Sequence, residues 1–340
     1  AEPSLWVSLG ALFIVIMSAS LGQAIMQWVG ARVRDRIRWQ PVRLVDAVGG
    51  AALSAVAVLL VAWALGVAVA GSRIGLLTAT VRESAVLSEV DRVLPQRADR
   101  VLQSFNNVVG TTFFPRYLEP FAPERIVAVK PGDQRLLDDP DVVAAQASVV
   151  KISGANNCGG GVEGTGFVFA PGRVMTNAHV VAGLTRPEVE IGGSTEIGSV
   201  VHYDPDLDVA VLAVESGGTP HLLFDRTAKP RDAVAVLGYP ENGPYAVSPA
   251  RIRSQQRLRS PDIHGDGTVL RHVFSLRADI RPGNSGGPIL TSGGEVAGVV
   301  FAASVTDAET GYALTAEQVA EAAAQGVTSE RPVDTGTCVR

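Results

Sequence analysis

The sequence predicts an all-β body of two antiparallel barrels behind an α-helical membrane region. Three observations carry this. The first 72 residues hold two long charge-free runs, 3–31 and 47–72. From about residue 141 the texture changes to short β-branched runs separated by Gly and Pro, without long helical periods between them. Within that part, a histidine, an aspartate and a glycine-flanked serine follow one another in order.

Each charge-free run exceeds the about 20 residues needed to cross a hydrocarbon core. Both contain Gly, Ala and Ser, which let membrane helices approach closely. Of the 340 residues, 46% are hydrophobic and 19% charged, and the mean hydropathy is +0.22. The apolar excess sits in these runs, so membrane helices are expected at about 4–30 and 47–72. The loop 32–46 carries Arg32, Arg34, Arg36, Arg38 and Arg43 against Asp35 and Asp46. Short cytoplasmic loops collect such an excess of Arg and Lys, which puts everything after Ser72 outside the cytoplasmic membrane. Trp6, Trp28 and Trp39 suit the membrane interface. A buried soluble hairpin or a signal peptide fits less well, the latter because the first run is long and lacks a basic start. A net charge of −5 argues against a nucleic-acid partner.

Glu83 to Leu94 and Gln96 to Val109 read as amphipathic helices broken by Pro95. Leu87, Val90, Val93 and Leu94 form one stripe; Val101, Leu102, Phe105 and Val109 form the other. Pro115, Pro120, Pro123, Pro131 and Pro140, with Gly132, make 114–140 an extended linker open to nicking. The expected organisation is thus a membrane region 1–82, helices and linker 83–140, and an all-β domain 141–340 that carries the histidine, aspartate and serine.

Strands are expected at Ser148–Ile152, Gly164–Phe169, Val174–Thr176, Glu188–Ile191, Gly198–Tyr203 and Val209–Val214. A second set is Ala233–Leu237, Ser248–Arg253, Val273–Leu276, Pro288–Leu290, Val296–Phe301 and Gly311–Leu314. A terminal helix, capped by Thr315 and running through Ala324, is expected to close at Gly326.

Ser285 lies in Gly283-Asn-Ser-Gly-Gly-Pro288, His179 in Thr176-Asn-Ala-His-Val-Val181, and Asp208 in Asp204-Pro-Asp-Leu-Asp208. A serine hydroxyl is a weak nucleophile that needs a neighbouring base, and the base needs an orienting carboxylate. His179 is the expected general base, and the order His, Asp, Ser is that of chymotrypsin. Asp208 abuts the apolar Val209-Ala-Val-Leu212, whereas Asp204 suits the turn with Pro205 and Asp206 suits solvent. The glycines let the Gly283 and Ser285 amides converge on a developing oxyanion. His202, His221, His264 and His272 read as ordinary polar residues.

Cys158 and Cys338 are the only cysteines. In an oxidising compartment they are expected to form one disulfide, contributing up to ~5 kcal/mol; the alternative is two unpaired thiols. Such a bridge would make activity redox-dependent. The spacing fits neither a zinc site nor a redox pair, and no metal or cofactor is called for.

Residues 141–326 resemble the HtrA/Deg branch of chymotrypsin-fold proteases. The matching pieces are Gly164-Thr-Gly-Phe-Val, Thr176-Asn-Ala-His-Val-Val, Asp204 to Leu212, Pro282-Gly-Asn-Ser-Gly-Gly-Pro and Gly311-Tyr-Ala-Leu. No room is left after the terminal helix for the PDZ domain usual in that branch. The whole chain more closely resembles the mycobacterial membrane-anchored acid-resistance (MarP-type) serine proteases, which join a colicin-V-production-like membrane region to a periplasmic protease domain. That resemblance implies further helices before Ala1. It also implies a periplasmic endopeptidase acting on protein or peptide substrates in acid and envelope stress, processing itself and cell-wall hydrolases. An imidazole base ordinarily protonates near pH 6.5, so work in acid would require a lowered His179 pKa or residual activity.

Asp279 falls where trypsin-like enzymes carry the base of the S1 pocket; alternatively it pairs with Arg277 or Arg281. By motif match Gly311 and Tyr312 are placed on the S1 wall. Gly298, Val299, Val300 and Phe301 are placed on the substrate-binding strand, whose edge would take peptide by β-augmentation. The alternative to an endopeptidase is a stress-sensing membrane scaffold with a latent or secondary protease domain.

Overall fold

The computed structural model describes residues 40–70, 84–94, 124–304 and 306–339, with Met17, Gly22, Trp28, Arg32, Thr80 and Val81 besides. Two compact units result: 1–72 with 80–111, and 73–79 with 112–340.

In the first unit, α1 (Gln40–Ala70) is a 31-residue helix, and α2 (Ala85–Val93) is capped by Ser84, whose hydroxyl accepts the Leu87 N–H. The Trp63 indole N–H donates to the Asp91 carboxylate at 2.7 Å, joining the two helices. On α2 the expected stripe is only partly covered: Leu87 and Val90 are half-buried, and Val93 is exposed. Among the described residues no helix is long and apolar enough to cross a membrane. The span over 47–72 therefore remains an expectation. The span over 4–30 and the helix over 96–109 fall outside the described residues.

The second unit is all-β. Its first sheet has seven strands: β1 (Val149–Ala155), β2 (Gly161–Ala170), β3 (Arg173–Thr176), β4 (Glu188–Ile191), β5 (Ser194–Ile197), β6 (Ser199–Asp204) and β7 (Val209–Ala213). Their order is β5-β4-β1-β2-β3-β7-β6. The second set closes into a barrel, β10-β13-β12-β11-β8-β9. Its strands are β8 (Ala233–Gly238), β9 (Ala246–Pro261), β10 (Thr268–Arg277), β11 (Pro288–Leu290), β12 (Val296–Ala303) and β13 (Thr310–Thr315). All pairs are antiparallel, as Gly-rich turns between short apolar runs dictate.

The expectation of two barrels is half met, because the first sheet stays open between β5 and β6. Its edges are managed rather than joined. β5 is short and polar (Ser-Thr-Glu-Ile), and the Val333 N–H of the C-terminal tail donates to the Val200 carbonyl on β6 at 2.8 Å. β5 itself was not expected. It is made by Gly192-Gly193, both with positive φ, which supply a two-residue hairpin turn.

The terminal helix, α5 (Ala320–Thr328), starts later than expected. The Thr315 hydroxyl accepts the Gln318 N–H in a preceding turn, and Gly326 lies inside the helix. A Cβ there would come within 2.6 Å of Val211, so this glycine serves close packing on β7 rather than termination.

Residues 124–133 are extended, as the prolines led one to expect, but they are laid across the second barrel. Val142 and Leu136, further along, are buried in the main core. A short helix α3 (Pro140–Ala144), capped by Asp139, leads into β1.

Candidate active site

His179 sits on a single helical turn, α4 (Ala178–Val181), directly after β3. Asp208 ends the turn after β6 in a left-handed conformation (φ 66°) and is wholly buried. That strained setting aims its carboxylate back at α4. It accepts the His179 backbone N–H at 2.9 Å, and the ring Nδ1 lies 3.0 and 2.9 Å from its two oxygens. With the carboxylate as acceptor, the imidazole proton is placed on Nδ1, which leaves Nε2 as the basic nitrogen.

The expected competitors have other work. The Asp204 carboxylate accepts the Leu207 N–H at 2.8 Å and its carbonyl accepts the Asp208 N–H, shaping the turn. Asp206 is exposed. The Asn177 side-chain amide donates to the Asp208 carbonyl at 2.8 Å, a bond the sequence did not disclose.

Ser285 lies between β10 and β11, 3% exposed. Its turn is wedged between the two β systems. The Ser285 carbonyl accepts the Thr165 N–H from β2 at 2.8 Å, and the Gly286 N–H donates to Val300 on β12 at 2.8 Å. Gly286 (φ 83°) leaves no room for a Cβ, which would meet the Thr165 carbonyl at 2.1 Å. Gly164 is equally tight, because its Cβ would lie 2.7 Å from Val180 and 3.2 Å from the Ser285 carbonyl. This glycine therefore lets the histidine turn and the serine turn close on one strand.

Thr165 completes the interlock. Its hydroxyl donates to the Gly283 carbonyl at 2.6 Å and accepts the Tyr239 N–H at 3.0 Å. The Glu241 N–H holds the Pro282 carbonyl at 2.6 Å. Because the peptide is trans, the Gly283 N–H faces away from Glu241. Thr165 and Gly164 stood in a motif, yet only the assembled turn discloses their roles.

The substrate-side residues are sorted more sharply. Asp279 is exposed and pairs with Arg281 (2.8 and 2.9 Å), one of the two arginines named as its alternative partners. Gly311 is closed against Ile280, and the Tyr312 side chain belongs to the main core. Gly298 and Val299 have ladder partners on both β11 and β13, and Val300 is bonded to the Gly286–Gly287 turn. Ala302 and Ala303 pair with β13, beyond the reach of β11. The part of β12 that is not paired on the β11 side thus begins after Val300, because β11 and the serine turn occupy what precedes it.

Cys158 and Cys338 are bridged. The bridge fastens the C-terminal tail beside Gly183, which follows α4 by one residue after Ala182. The Gly183 N–H donates to the Thr335 carbonyl at 3.4 Å, and the Asn157 N–H to the Gly183 carbonyl at 3.0 Å. Among the described residues no group of His, Cys, Asp and Glu could hold a metal ion.

Residues 164–299 match a model of the trypsin-like peptidase domain. The serine protease Rv3671c of Mycobacterium tuberculosis is 42% identical over 97% of this chain and 84% of its own length. The chain belongs to the MarP-type serine proteases. Crystal structures of the Rv3671c protease superpose on it at 47% identity. The active form gives a TM-score of 0.62 over 66% of this chain and 99% of that one. The inactive form gives 0.53 over 58% and 98%. The MarP-type chain described here is accordingly a serine protease with a trypsin-like domain, acting on peptide or protein substrates.

Proposed function

We propose that this chain is a membrane-tethered, extracytoplasmic serine endopeptidase in which Ser285, His179 and Asp208 form the triad. The observation that carries the reading is the buried Asp208 carboxylate gripping both the backbone N–H and Nδ1 of His179, with the serine turn locked to the adjoining strand by Gly164 and Thr165. In this mechanism Nε2 of His179 takes the Ser285 proton as Oγ attacks the peptide carbonyl, then delivers it to the leaving amine. The Gly283 and Ser285 amides stabilise the oxyanion, and loss of one such donor costs ~10²–10³ in rate. Asp208 keeps the imidazole in the productive tautomer.

The tether is supported by the charge-free stretch 47–72 and the arginines of 32–43. The MarP-type relationship is what supports the further reading of a periplasmic site, a role in acid resistance and the processing of itself or of cell-wall hydrolases. Fluorophosphonate labelling of the full chain, read by intact mass, tests the triad. One adduct is expected, absent in Ser285→Ala; protein cleavage retained by Ser285→Ala overturns the assignment.

A further inference from the structure

Three arginines share one face of the β9–β10 ladder. Arg251 and Arg253 are two residues apart on β9, and Arg277 lies directly opposite Arg251. Like charges so placed repel unless acceptors face them. The acceptors are main-chain carbonyls of the strap 124–133. Arg253 Nη1 donates to Val127 O at 2.8 Å, Arg277 Nη1 to Val129 O at 2.9 Å, and Arg251 Nε to Pro131 O at 3.0 Å. Alternate carbonyls are taken, the period of an extended chain.

Two of these arginines use their second arm on the loop between β12 and β13. Arg253 Nη2 donates to Glu309 O at 3.3 Å, and Arg277 Nη2 to the Glu309 carboxylate at 2.9 Å. At the start of the strap, the Glu124 carboxylate accepts the hydroxyls of Ser304 and Thr306. The Ser304 hydroxyl in turn accepts the N–H groups of Thr306 (3.1 Å) and Asp307 (3.0 Å), so it organises the loop. This loop follows Ala302 and Ala303, where β12 runs past β11.

We infer that the strap shapes the substrate site from outside it: Glu124, with Arg253 and Arg277, fixes Ser304 and residues 306–309 and thereby the far end of β12 on which an extended substrate lies. Glu124 is a positioning residue. It acts on the binding of long polypeptides and leaves the reactivity of the nucleophile alone. The inference rests on the endopeptidase reading above.

The test compares two rates in the full chain: cleavage of unfolded casein, which needs an extended binding edge, and fluorophosphonate acylation, which needs only the assembled triad. Glu124→Ala is expected to lower kcat/KM for casein by about tenfold, the scale of a lost hydrogen bond to a charged group, with acylation within about twofold. Glu124→Gln, whose amide oxygen still accepts, should recover most of the loss. Ser304→Ala should match Glu124→Ala, and the double variant should lose no more than either. Acylation falling in step with casein cleavage, or casein cleavage untouched by Glu124→Ala, overturns the inference. An unlabelled wild-type chain would sink the triad assignment instead.

Discussion

Two segments of the protease unit, one before its strands and one after them, hold its two β systems in different ways. The C-terminal tail is fastened to the open sheet covalently, through Cys158–Cys338, and closes the edge at β6. The strap 124–133 is held on the closed barrel by hydrogen bonds, from three guanidinium groups to its carbonyls and from the Ser304 and Thr306 hydroxyls to the Glu124 carboxylate. A covalent tie acts largely on the unfolded chain, by restricting it. Polar ties act on the folded state, and one lost partner leaves the other buried and unsatisfied. The tail should therefore govern whether the fold survives, and the strap should govern the local shape of one loop.

The largest expected effect is on the covalent side. Cys158→Ser should lower the unfolding free energy by about 2–5 kcal/mol, since the bridge closes a separation of 180 residues. Because the tail touches Gly183 beside the histidine turn, peptidase activity should fall with it. Urea unfolding with and without dithiothreitol checks this, and a reductant-insensitive wild type would break the contrast. Next, Arg253→Met should cost about 2–3 kcal/mol, because Arg253 is buried at 6% exposure and its removal orphans the Val127 and Glu309 carbonyls. Combining it with Cys158→Ser should give a sum additive within about 0.5 kcal/mol, since the two ties share no partner; strong coupling would mean that they act as one device.

A smaller effect concerns acid. Burial pushes the His202 pKa down, against the attraction of Asp204 and Glu321. A histidine depressed in the folded state contributes stability present above its unfolded pKa and lost as pH falls through the folded one. His202→Gln should therefore flatten the fall in Tm below about pH 6.5, the ordinary histidine value. An unchanged slope would place the acid sensitivity elsewhere. The smallest effect is expected at Asp279. It is exposed and paired with Arg281, so Asp279→Asn should leave the relative rates on Arg, Lys and Leu P1 substrates within about twofold. A selective loss on basic P1 residues would restore it to the S1 pocket.

The same contrast explains what could be read from the residues. The disulfide was legible because two cysteines allow only one pairing. The proposed triad could be picked out because Ser285, His179 and Asp208 each stand in a local motif. The strap was not. Arg251, Arg253 and Arg277 alternate as solvent-facing residues do, and a carbonyl acceptor leaves no mark in a sequence. β5 was hidden because Ser-Thr-Glu-Ile has no apolar alternation, although Gly192-Gly193 carried the hairpin signal. β9 and β10 run beyond their expected ends through Ser254-Gln-Gln and Thr268, where pairing in a long hairpin outweighs composition. Nothing local announces that Asp208 is left-handed; the surrounding turn imposes it.

The manner in which the strap is gripped bears on how this region can change over time. Its carbonyls are what the arginines grasp, and every amino acid brings one; Pro131, with no N–H to offer, serves as well as Val127 and Val129. The identities of these residues can drift without loosening the hold. Spacing cannot. A single residue inserted at 128 would turn the following carbonyls to the opposite side of the extended chain, leaving Arg253 satisfied but Arg277 and Arg251 without their strap acceptors. Selection on this stretch should thus tolerate substitution and resist insertion and deletion.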